Sequence, residues 1–378
     1  DMLERPGDLF NYNGECLSYP DIKLVYWAGG NVFHQHQDLN RLRKAWQKPE
    51  CIIVNEQVWT ATARHADIVF PITTSLERND VHFSTFDHYL SPMRKALRPL
   101  GESRSDYDVF SSLAKRLGFE DTFTEKKNEM AWIESIYNYS RETASKHDID
   151  LPDFSTFWNG EHFSIKKQIK ELKLIPEKFR ENPKKNPLGT PSGKIEIYSE
   201  TIASFDYEEC PGHPTWIKKK ESLVSPRALR FPLHLISNQP KTRLHSQLDF
   251  ASVSQKSKII GREPTTINPK DAAKRKIEDG DLIRVFNDRG ACLSAAKLSE
   301  NIRPGVIQLA TGAWYDPIET ADGLDLDLHG NPNVLTRDYG TSELAQGPTS
   351  HSCLVEIELY SGEIQEVRSF VPPEIADD

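Results

Sequence analysis

The stretch from Lys23 to Asp80 constrains the fold of this 378-residue chain more than any other segment. It holds three short apolar runs, at 24–27, 51–54 and 67–71, with a basic amphipathic segment after the first and a short helical segment after the second. Short apolar runs that alternate with helical segments are typical of strands in a parallel, helix-covered sheet. The stretch therefore predicts a Rossmann-like α/β domain with a parallel sheet.

A glycine turn follows the first apolar run. Gly29 and Gly30 allow the backbone to turn sharply and to approach a ligand, since neither carries a Cβ atom. Asn55 and Glu56 follow the second run, and an acidic residue about 20 positions after such a turn commonly binds a ribose hydroxyl. The pattern predicts a nucleoside ligand; the alternative is that the glycines only turn the chain and Glu56 is solvated.

The turn differs from a dinucleotide fingerprint. Gly29-Gly30-Asn31 is not G-x-G-x-x-G, and the segment supplies no third glycine. Nicotinamide dehydrogenases use a sheet of this kind, but the missing third glycine disfavours that function here.

Two charged residues further along the α/β segment are candidate ligand contacts. Arg78 lies in the loop after the third apolar run, where a guanidinium group can bind a pyrophosphate, stack on a base or form a surface ion pair. Asp106 begins a predicted helix over 106–118, and either Ser105 or Asp106 can cap its first turn. A role for Asp106 as the N-cap is the alternative to a ligand contact.

The second half of the chain is predicted to be rich in strands. Turn dipeptides such as Asp279-Gly280 and Pro304-Gly305 separate short apolar runs, and one helix is predicted from Pro269 to Lys276. This spacing favours a closed or nearly closed β-barrel. The predicted strands are Leu233–Ile236, Leu282–Phe286, Cys292–Lys297, Val306–Leu309 and Leu354–Leu359.

Irregular segments separate these regions. Residues 1–20 carry little periodicity and are predicted to be an irregular lead-in. Residues 164–194 are basic and then proline-rich, which indicates a connector, and an alternating strand is predicted at 194–198. The predicted domains are 1–200 for the α/β part, 201–222 for a linker and 223–378 for the barrel.

Composition excludes several classes of function. No apolar run approaches the roughly 20 residues that cross a bilayer, and 27% of residues are charged, as in a soluble protein without membrane insertion. A net charge of −9 argues against general nucleic-acid binding. The five cysteines form no CxxC pair or tight cluster, so neither a metal site nor a disulfide framework is predicted. The absence of a G-x-S-x-G segment disfavours a hydrolase.

Polar side chains cluster twice in the second half. The first cluster follows a predicted strand, and the second surrounds two glycines that permit close approach of the backbone. Both suit hydrogen bonding to a ligand, and the alternative for both is a turn whose polar groups are satisfied by its own backbone. The candidates are Ser237, Gln239 and His245 in the first cluster and Asn333, His351 and Ser352 in the second.

Several long blocks carry a resemblance. They are GGNVFHQHQDLNRLRKAW, EQVWTATARHADIVFPITTSLERND, INPKDAAKRKIEDGDLIRVFNDRG, IRPGVIQLATGAWYDP and GNPNVLTRDYGTSELAQGPTSHSCLVEIE. In this order they resemble the dimethyl sulfoxide reductase family of molybdopterin oxidoreductases, in its biotin sulfoxide and trimethylamine N-oxide reductase branch. With the segments between them they cover nearly the whole chain.

The resemblance implies a cofactor and its contacts. The cofactor is bis(molybdopterin guanine dinucleotide) molybdenum, bound between a guanine-dinucleotide-binding α/β part and a C-terminal double-psi β-barrel. Many family members have histidine where this chain has Gln239. The implied cofactor-binding residues are Gly30, Asn31, Gln35, Asn55, Glu56, Arg78, Asp106, Ser237, Gln239, His245, Asn333, His351 and Ser352.

The resemblance also implies an activity, which is reduction of an S-oxide or N-oxide by oxygen-atom transfer in the bacterial periplasm or cytoplasm. Candidate substrates are biotin, methionine and dimethyl sulfoxides and trimethylamine N-oxide. The electron donor would be a cytochrome c-type protein or a thioredoxin-like or flavin reductase. No catalytic residue or metal ligand is assigned here, because the resemblance places these groups in an N-terminal half that precedes this segment. The competing hypothesis is a non-catalytic module that binds a pterin or guanine nucleotide.

Overall fold

The computed structural model describes residues 1–169, 175–320 and 325–374. Its strands are β1 Leu9–Tyr12, β2 Glu15–Ser18, β3 Leu24–Ala28, β4 Cys51–Glu56, β5 Ile68–Pro71, β6 Asp80–Phe83, β7 Tyr89–Met93, β8 Phe163–Ser164, β9 Leu233–Ile236, β10 Pro264–Ile267, β11 Leu282–Phe286, β12 Ala291–Leu298, β13 Val306–Leu309, β14 Pro317–Ile318, β15 Leu326–Asp327 and β16 Leu354–Leu359. Its α-helices are α1 Val32–Gln35, α2 Leu39–Ala45, α3 Ala61–Arg64, α4 Asp106–Arg116, α5 Glu120–Thr124, α6 Glu129–Ser145, α7 Phe154–Asn159, α8 Ile175–Glu181, α9 Glu200–Ala203, α10 Ser252–Gln255 and α11 Pro269–Ala273. Short 3₁₀ helices cover Pro226–Leu229 and Pro332–Val334.

The chain divides into two compact units. Unit 1 comprises Asp1–Val54, Val58–Val69 and Ile197–Asp378, and unit 2 comprises Asn55–Gln57 and Phe70–Glu196. These units do not coincide with the predicted domains at 1–200 and 223–378, which stay a prediction. The grouping arises because the first strands and helices pack into the same apolar core as the barrel.

A closed barrel of mixed pairing forms most of unit 1. The strands follow the order β10-β13-β9-β16-β11-β12, and a parallel β10–β12 pairing closes the ring. The pairs β9–β13 and β10–β12 are parallel, whereas β11 pairs antiparallel with both β12 and β16. The predicted barrel strands are therefore confirmed, and the fold is mixed α/β.

The barrel strands share one apolar core with the first helices of the chain. The core cluster contains Leu235, Ile283, Ile307 and Val355, whose side chains are fully buried. It also contains Phe33 from α1, which stacks against Tyr315 with ring centroids 5.7 Å apart. Burial of apolar area at about 25 cal/mol per Å² thus joins the N-terminal helices to the barrel as one unit.

The predicted α/β strands form a three-stranded sheet of order β3-β4-β5. The basic amphipathic segment after the first run forms α2, which ends at Ala45, before Pro49. A strand of a helix-covered sheet is expected to be buried, and for the third run this expectation is wrong, because Ile68 and Phe70 in β5 are 43% and 38% exposed. Apolar composition alone does not distinguish a central strand from a strand with an open face.

Unit 2 contains its own apolar cluster. Leu90, Tyr137, Leu151 and Phe157 are buried together, and Tyr137 stacks on Phe157 with ring centroids 4.3 Å apart. A three-stranded antiparallel sheet of β6, β7 and β8 contributes to this cluster. The predicted helix at 106–118 corresponds to α4, and α6 is the longer helix of unit 2.

Two sequence predictions outside the core were wrong. The lead-in at 1–20 contains the antiparallel hairpin β1–β2, whose side chains are mostly exposed and therefore leave no apolar alternation to detect. The strand predicted at 194–198 is absent, and Ile195 and Ile197 are 72% and 78% exposed. A segment with alternating apolar and polar residues does not form a β-strand unless a neighbouring strand pairs with it. Part of the predicted connector, 170–174, lies outside the described residues.

Within the described parts of the chain, no helix is both long enough and apolar enough to cross a bilayer.

Candidate functional site

The glycine turn after β3 has the conformation that its sequence predicts. Gly29 and Gly30 have φ of 87° and 77°, in the left-handed region that favours glycine. No atom lies within 4 Å of where a Cβ of Gly29 would stand, whereas the Gln35 amide would lie 3.1 Å from a Cβ of Gly30. The turn thus presents an open stretch of backbone next to the predicted contact Gln35.

Asn31 joins the turn to two other parts of unit 1. Its Oδ1 accepts a hydrogen bond from Thr62 Oγ1 at 2.7 Å, and its Nδ2 donates to Ser246 Oγ at 3.3 Å. The side chain is buried. Both ends of the Asn31 amide are therefore engaged within the protein, and its predicted cofactor contact stays a prediction.

The loop at 237–247, which follows β9, is held by a contact between two predicted residues. Gln239 Nε2 lies 2.9 Å from His245 Nδ1, and the His245 N–H donates to Gln239 Oε1 at 3.2 Å. Both side chains face solvent. Gln239 thus contacts both the imidazole ring and the backbone of His245.

A second turn, at 327–333, lies against helix α1. Asn333 Nδ2 donates to the carbonyl oxygen of His34 at 2.6 Å, and Asn331 Nδ2 donates to that of Phe33 at 3.2 Å. The fully buried Asp327 carboxylate accepts from the N–H groups of Gly330 and Asn331, both at 2.7 Å, and burial raises its pKa to about 7. These bonds fix Asn333 beside the glycine turn.

The other residues predicted in this half lie at the start of loop 237–247. The Leu235 N–H donates to the Cys353 carbonyl at 3.0 Å in the β9–β16 pair. Ser237 follows β9 directly, and His351 and Ser352 lie in a turn just before β16, where the Ser352 N–H donates to the Thr349 carbonyl at 3.0 Å. Because β9 and β16 are antiparallel neighbours, the end of β9 and the start of β16 lie at the same end of the pair.

Some buried polar atoms in this region have no hydrogen-bond partner within the described protein. Two of them are Nδ1 of His34 and Oδ1 of Asn238. The His34 ring is centred 5.4 Å from that of His245, and burial, reinforced by His245 and Arg243, lowers its pKa to about 4. An unpaired buried polar atom costs about 1–3 kcal/mol, so these atoms suit a ligand that offers hydrogen bonds.

Unit 2 carries the remaining predicted residues. Asn55 Nδ2 donates to Asp106 Oδ1 at 2.8 Å, and the Glu56 carbonyl accepts from the Ile72 N–H at 3.1 Å. Ser105 caps α4 by accepting from the Asp108 N–H at 3.1 Å. The cap is therefore Ser105, and the carboxylate of Asp106 is directed to Asn55 instead.

Arg78 contacts Thr73, which has a buried hydroxyl oxygen without a hydrogen-bond partner among the described residues. Its Nη1 donates to the Thr73 carbonyl at 3.3 Å, and its Nη2 lies 3.7 Å from the Asp80 carboxylate. The Thr73 Oγ1 is buried and without a partner among the described residues. The guanidinium is about one-third exposed, which leaves donors available to an anionic ligand.

Sequence reasoning missed several residues of this arrangement. Each of them carries a polar side chain. That side chain either forms a hydrogen bond to a distant segment of the chain or has a buried atom without a partner among the described residues. The Asn331-Pro332-Asn333 turn was the available signal, since two amides flank a proline there. The missed residues are His34, Thr62, Thr73, Asn238, Ser246 and Asn331. Across the described residues, no group of three or more His, Cys, Asp and Glu side chains could hold a metal ion.

Comparisons with protein families match two regions of the chain. Residues 8–116 match the family described as Molybdopterin oxidoreductase, and residues 233–354 match the Molydopterin dinucleotide binding domain. The first match includes the glycine turn and Arg78, and the second includes loop 237–247 and Asn333.

Curated relatives are similar over nearly the whole chain. A dimethyl sulfoxide/trimethylamine N-oxide reductase of Cereibacter sphaeroides is 48% identical over 99% of this chain and 46% of its own length. A biotin sulfoxide reductase of the same organism is 47% identical over 96% of this chain and 48% of its own length. A trimethylamine-N-oxide reductase of Haemophilus influenzae is 46% identical over 99% of this chain and 46% of its own length. The chain thus spans less than half the length of each relative.

One solved structure is similar in fold. Acetylene hydratase from Pelobacter acetylenicus superposes with a TM-score of 0.68 at 19% sequence identity, covering 90% of this chain and 45% of the other. At this identity the similarity concerns the fold alone.

Proposed function

We propose that this chain, which belongs to the molybdopterin oxidoreductase family, is the cofactor-binding part of an enzyme that reduces an S-oxide or N-oxide. The substrate class follows from the relatives, which are named for dimethyl sulfoxide, trimethylamine N-oxide and biotin sulfoxide. The relatives are about twice as long as this chain, so the activity is proposed for the protein that also contains their remaining length.

One observation in unit 1 carries the proposal. Three polar segments that are far apart in sequence, 29–35, 237–247 and 331–333, meet through the hydrogen bonds of Asn31 and Asn333. The same place holds an open glycine backbone and the unpaired Nδ1 of His34. A fused-ring pterin with a phosphate tail offers many hydrogen-bond donors and acceptors, which is the chemistry that such a surface accommodates.

The ligand we propose is bis(molybdopterin guanine dinucleotide) molybdenum. When bound, this group supplies two-electron oxygen-atom transfer. The chain's own residues bind and orient it. In unit 2, Asp106 would accept hydrogen bonds from a guanine edge, Glu56 would bind a ribose hydroxyl, and Arg78 would bind a pyrophosphate. In unit 1 the proposed contacts are Gly30, Asn31, Gln35, Ser237, Gln239, His245, Asn333, His351 and Ser352.

Finer aspects of the proposal concern fold and partners. We propose a double-psi connectivity for the barrel and a parallel arrangement for the β3-β4-β5 sheet. Domain boundaries at 200 and 223 remain part of the proposal. The electron donor would be a cytochrome c-type protein or a thioredoxin-like or flavin reductase. A bacterial periplasmic or cytoplasmic location is compatible with both kinds of donor.

The test is cofactor content joined to turnover. The protein containing this chain and the remaining length of its relatives is purified, and its molybdenum, pterin and guanine nucleotide are quantified after acid release. Oxidation of a reduced viologen dye is then followed with dimethyl sulfoxide, biotin sulfoxide or trimethylamine N-oxide. We expect molybdenum together with a pterin guanine dinucleotide, and dye oxidation that requires an oxide. Absence of molybdenum and pterin would overturn the proposal.

The same experiment distinguishes the proposed reductase from the competing hypothesis of a non-catalytic binding module. A module that only binds a pterin or guanine nucleotide would retain the organic ligand but would oxidise no dye with any of the oxides. Apo protein reconstituted with molybdate alone serves as the control for adventitious metal.

A further inference from the structure

A buried group of four charged side chains lies against loop 237–247 in unit 1. It consists of Arg243, Asp249, Lys258 and Glu263, and we refer to it as the charge quartet. Their side chains are between 0% and 5% exposed. Charges this deeply buried are rare unless they are paired.

Each cation of the quartet contacts both carboxylates. Lys258 Nζ lies 2.9 Å from Asp249 Oδ1 and 2.7 Å from Glu263 Oε2, while Arg243 Nε and Nη2 lie 3.2 and 3.0 Å from the same two oxygens. Burial opposes ionisation of Asp249, but Lys258, His329, Arg243 and the Ser254 hydroxyl together outweigh it, so its pKa is lowered. With two cations and two carboxylates, the quartet carries no net formal charge. Removal of one member of such a buried group leaves an uncompensated charge, which is strongly destabilising.

Arg243 connects the quartet to the rest of the loop. Its Nη2 also donates to the Thr311 carbonyl at 3.0 Å, and its Nη1 donates to Ser254 Oγ at 3.1 Å. The Thr311 N–H in turn donates to the Asn238 carbonyl at 2.9 Å. Asn238, near the beginning of the loop, and Arg243, near its middle, are thus both attached to Thr311.

The loop backbone is in a conformation that needs such support. His245 has a φ of 52°, in the left-handed region that non-glycine residues rarely adopt. Its carbonyl oxygen would lie 1.9 Å from a Cβ of Gly312, so the two backbones are in close contact. Unfavourable backbone conformations of this kind persist only where the surroundings determine them.

We propose that Arg243 is a positioning residue that, through the charge quartet, holds Gln239 and His245 in their ligand-binding arrangement before any ligand is present. The identity of that ligand rests on the proposed function, but the preset loop does not. A guanidinium is required because one planar group serves two carboxylates, a hydroxyl and a carbonyl at once, which an ammonium group cannot do.

The test is hydrogen–deuterium exchange in the loop of the protein that contains this chain and the remaining length of its relatives, prepared without cofactor. Arg243→Lys keeps the charge of the quartet and removes the fork of donors. We expect the amides of His245, Gln247 and Thr311 to exchange about tenfold faster or more, because a lost charge-assisted hydrogen bond shifts local opening by that order. Ser254→Ala leaves all four charges in place and is expected to give a smaller acceleration at the same amides, which keeps the test informative should Arg243→Lys fail to fold.

A buried arginine elsewhere in unit 1 provides the matched control. Arg262 is also buried, but it donates to the carbonyls of Ile260 and Gln365 and does not contact the loop. Arg262→Lys should leave exchange in the loop unchanged. If both lysine variants accelerated loop exchange equally, or if neither did, the positioning role would be refuted.

A second readout links the loop to the ligand. In the cofactor-loaded protein, the fraction of molybdenum retained after dilution and gel filtration should fall in Arg243→Lys and stay at the wild-type value in Arg262→Lys. Equal retention of molybdenum in the two variants would refute the link between Arg243 and ligand binding. A wild-type protein without pterin would refute the proposed function alone, because the exchange result is obtained without cofactor.

Discussion

Asn333 donates a hydrogen bond from its side-chain amide to the backbone carbonyl of His34, 299 residues earlier in the chain, at 2.6 Å. The bond joins the turn before β16 to the helix that follows the glycine turn. Thr336 Oγ1 donates to Asn333 Oδ1 at 2.8 Å, so the amide is engaged at both ends. A residue predicted as a cofactor contact is thus also part of the scaffold that holds the site together.

Asn333→Ala should destabilise unit 1. The substitution removes two buried hydrogen bonds and leaves the His34 carbonyl and the Thr336 hydroxyl without these partners, for an expected loss of about 2–3 kcal/mol in the free energy of unfolding. Urea denaturation followed by tryptophan fluorescence measures this loss. Asn301→Ala, at an exposed position, is the control and should change stability by less than about 0.5 kcal/mol. Equal stability of the two variants would contradict the scaffold role.

Gly312→Ala should be among the most damaging single substitutions in unit 1. The added Cβ would lie 1.9 Å from the His245 carbonyl oxygen, and Gly312 has a φ of 99°. We expect a loss above about 4 kcal/mol, or failure of the protein to accumulate. Gly261→Ala is the matched control, since Gly261 has a φ of 69° but open space around it, and it should cost only about 1–2 kcal/mol. Thermal unfolding of both variants measures the difference, and similar melting temperatures would argue against close contact at Gly312.

His34 predicts a specific pH dependence of stability. Burial lowers its pKa from 6.5 to about 4, so the unfolded chain binds more protons than the folded chain between these values. The contribution of His34 to stability is therefore present above pH 6.5 and is lost as the pH falls toward 4. At about 1.4 kcal/mol per pKa unit, the loss reaches roughly 3 kcal/mol. In His34→Gln this part of the pH dependence should disappear. Denaturation of both proteins from pH 7 to 4 tests this, and parallel curves would exclude a buried neutral imidazole at His34.

Arg78→Ala should weaken cofactor retention without unfolding unit 2. The contacts of the guanidinium within the protein are a 3.3 Å bond to the Thr73 carbonyl and a partly exposed ion pair with Asp80, and such pairs contribute about 0–1 kcal/mol. Molybdenum occupancy of the cofactor-loaded protein should therefore drop while its melting temperature changes little. Arg94→Ala removes an exposed arginine that donates to the Trp158 carbonyl at 2.9 Å, and occupancy should be retained there. Unchanged occupancy in Arg78→Ala would count against a pyrophosphate contact.

Local patterns were sufficient for many elements. The run at 24–27 predicted β3, the glycines at 29–30 predicted the turn, and the basic amphipathic segment after them predicted α2. Each prediction depends on side-chain periodicity or backbone freedom over a few residues. The predicted barrel strands were confirmed for the same reason. The alternating segment at 194–198 failed, since a strand requires a partner that local sequence does not supply.

The sequence by itself determined which segments are strands and helices, where glycine is required, and which blocks resemble a molybdopterin family. Only the tertiary structure decided that Asn31 and Asn333 are bonded within the protein, that Ser105 rather than Asp106 caps α4, and that Arg243 belongs to a buried neutral quartet. The physical reason is the range of the interactions. Periodicity and turn preferences act between near neighbours, whereas these hydrogen bonds and ion pairs form only after barrel closure and core packing bring distant segments together.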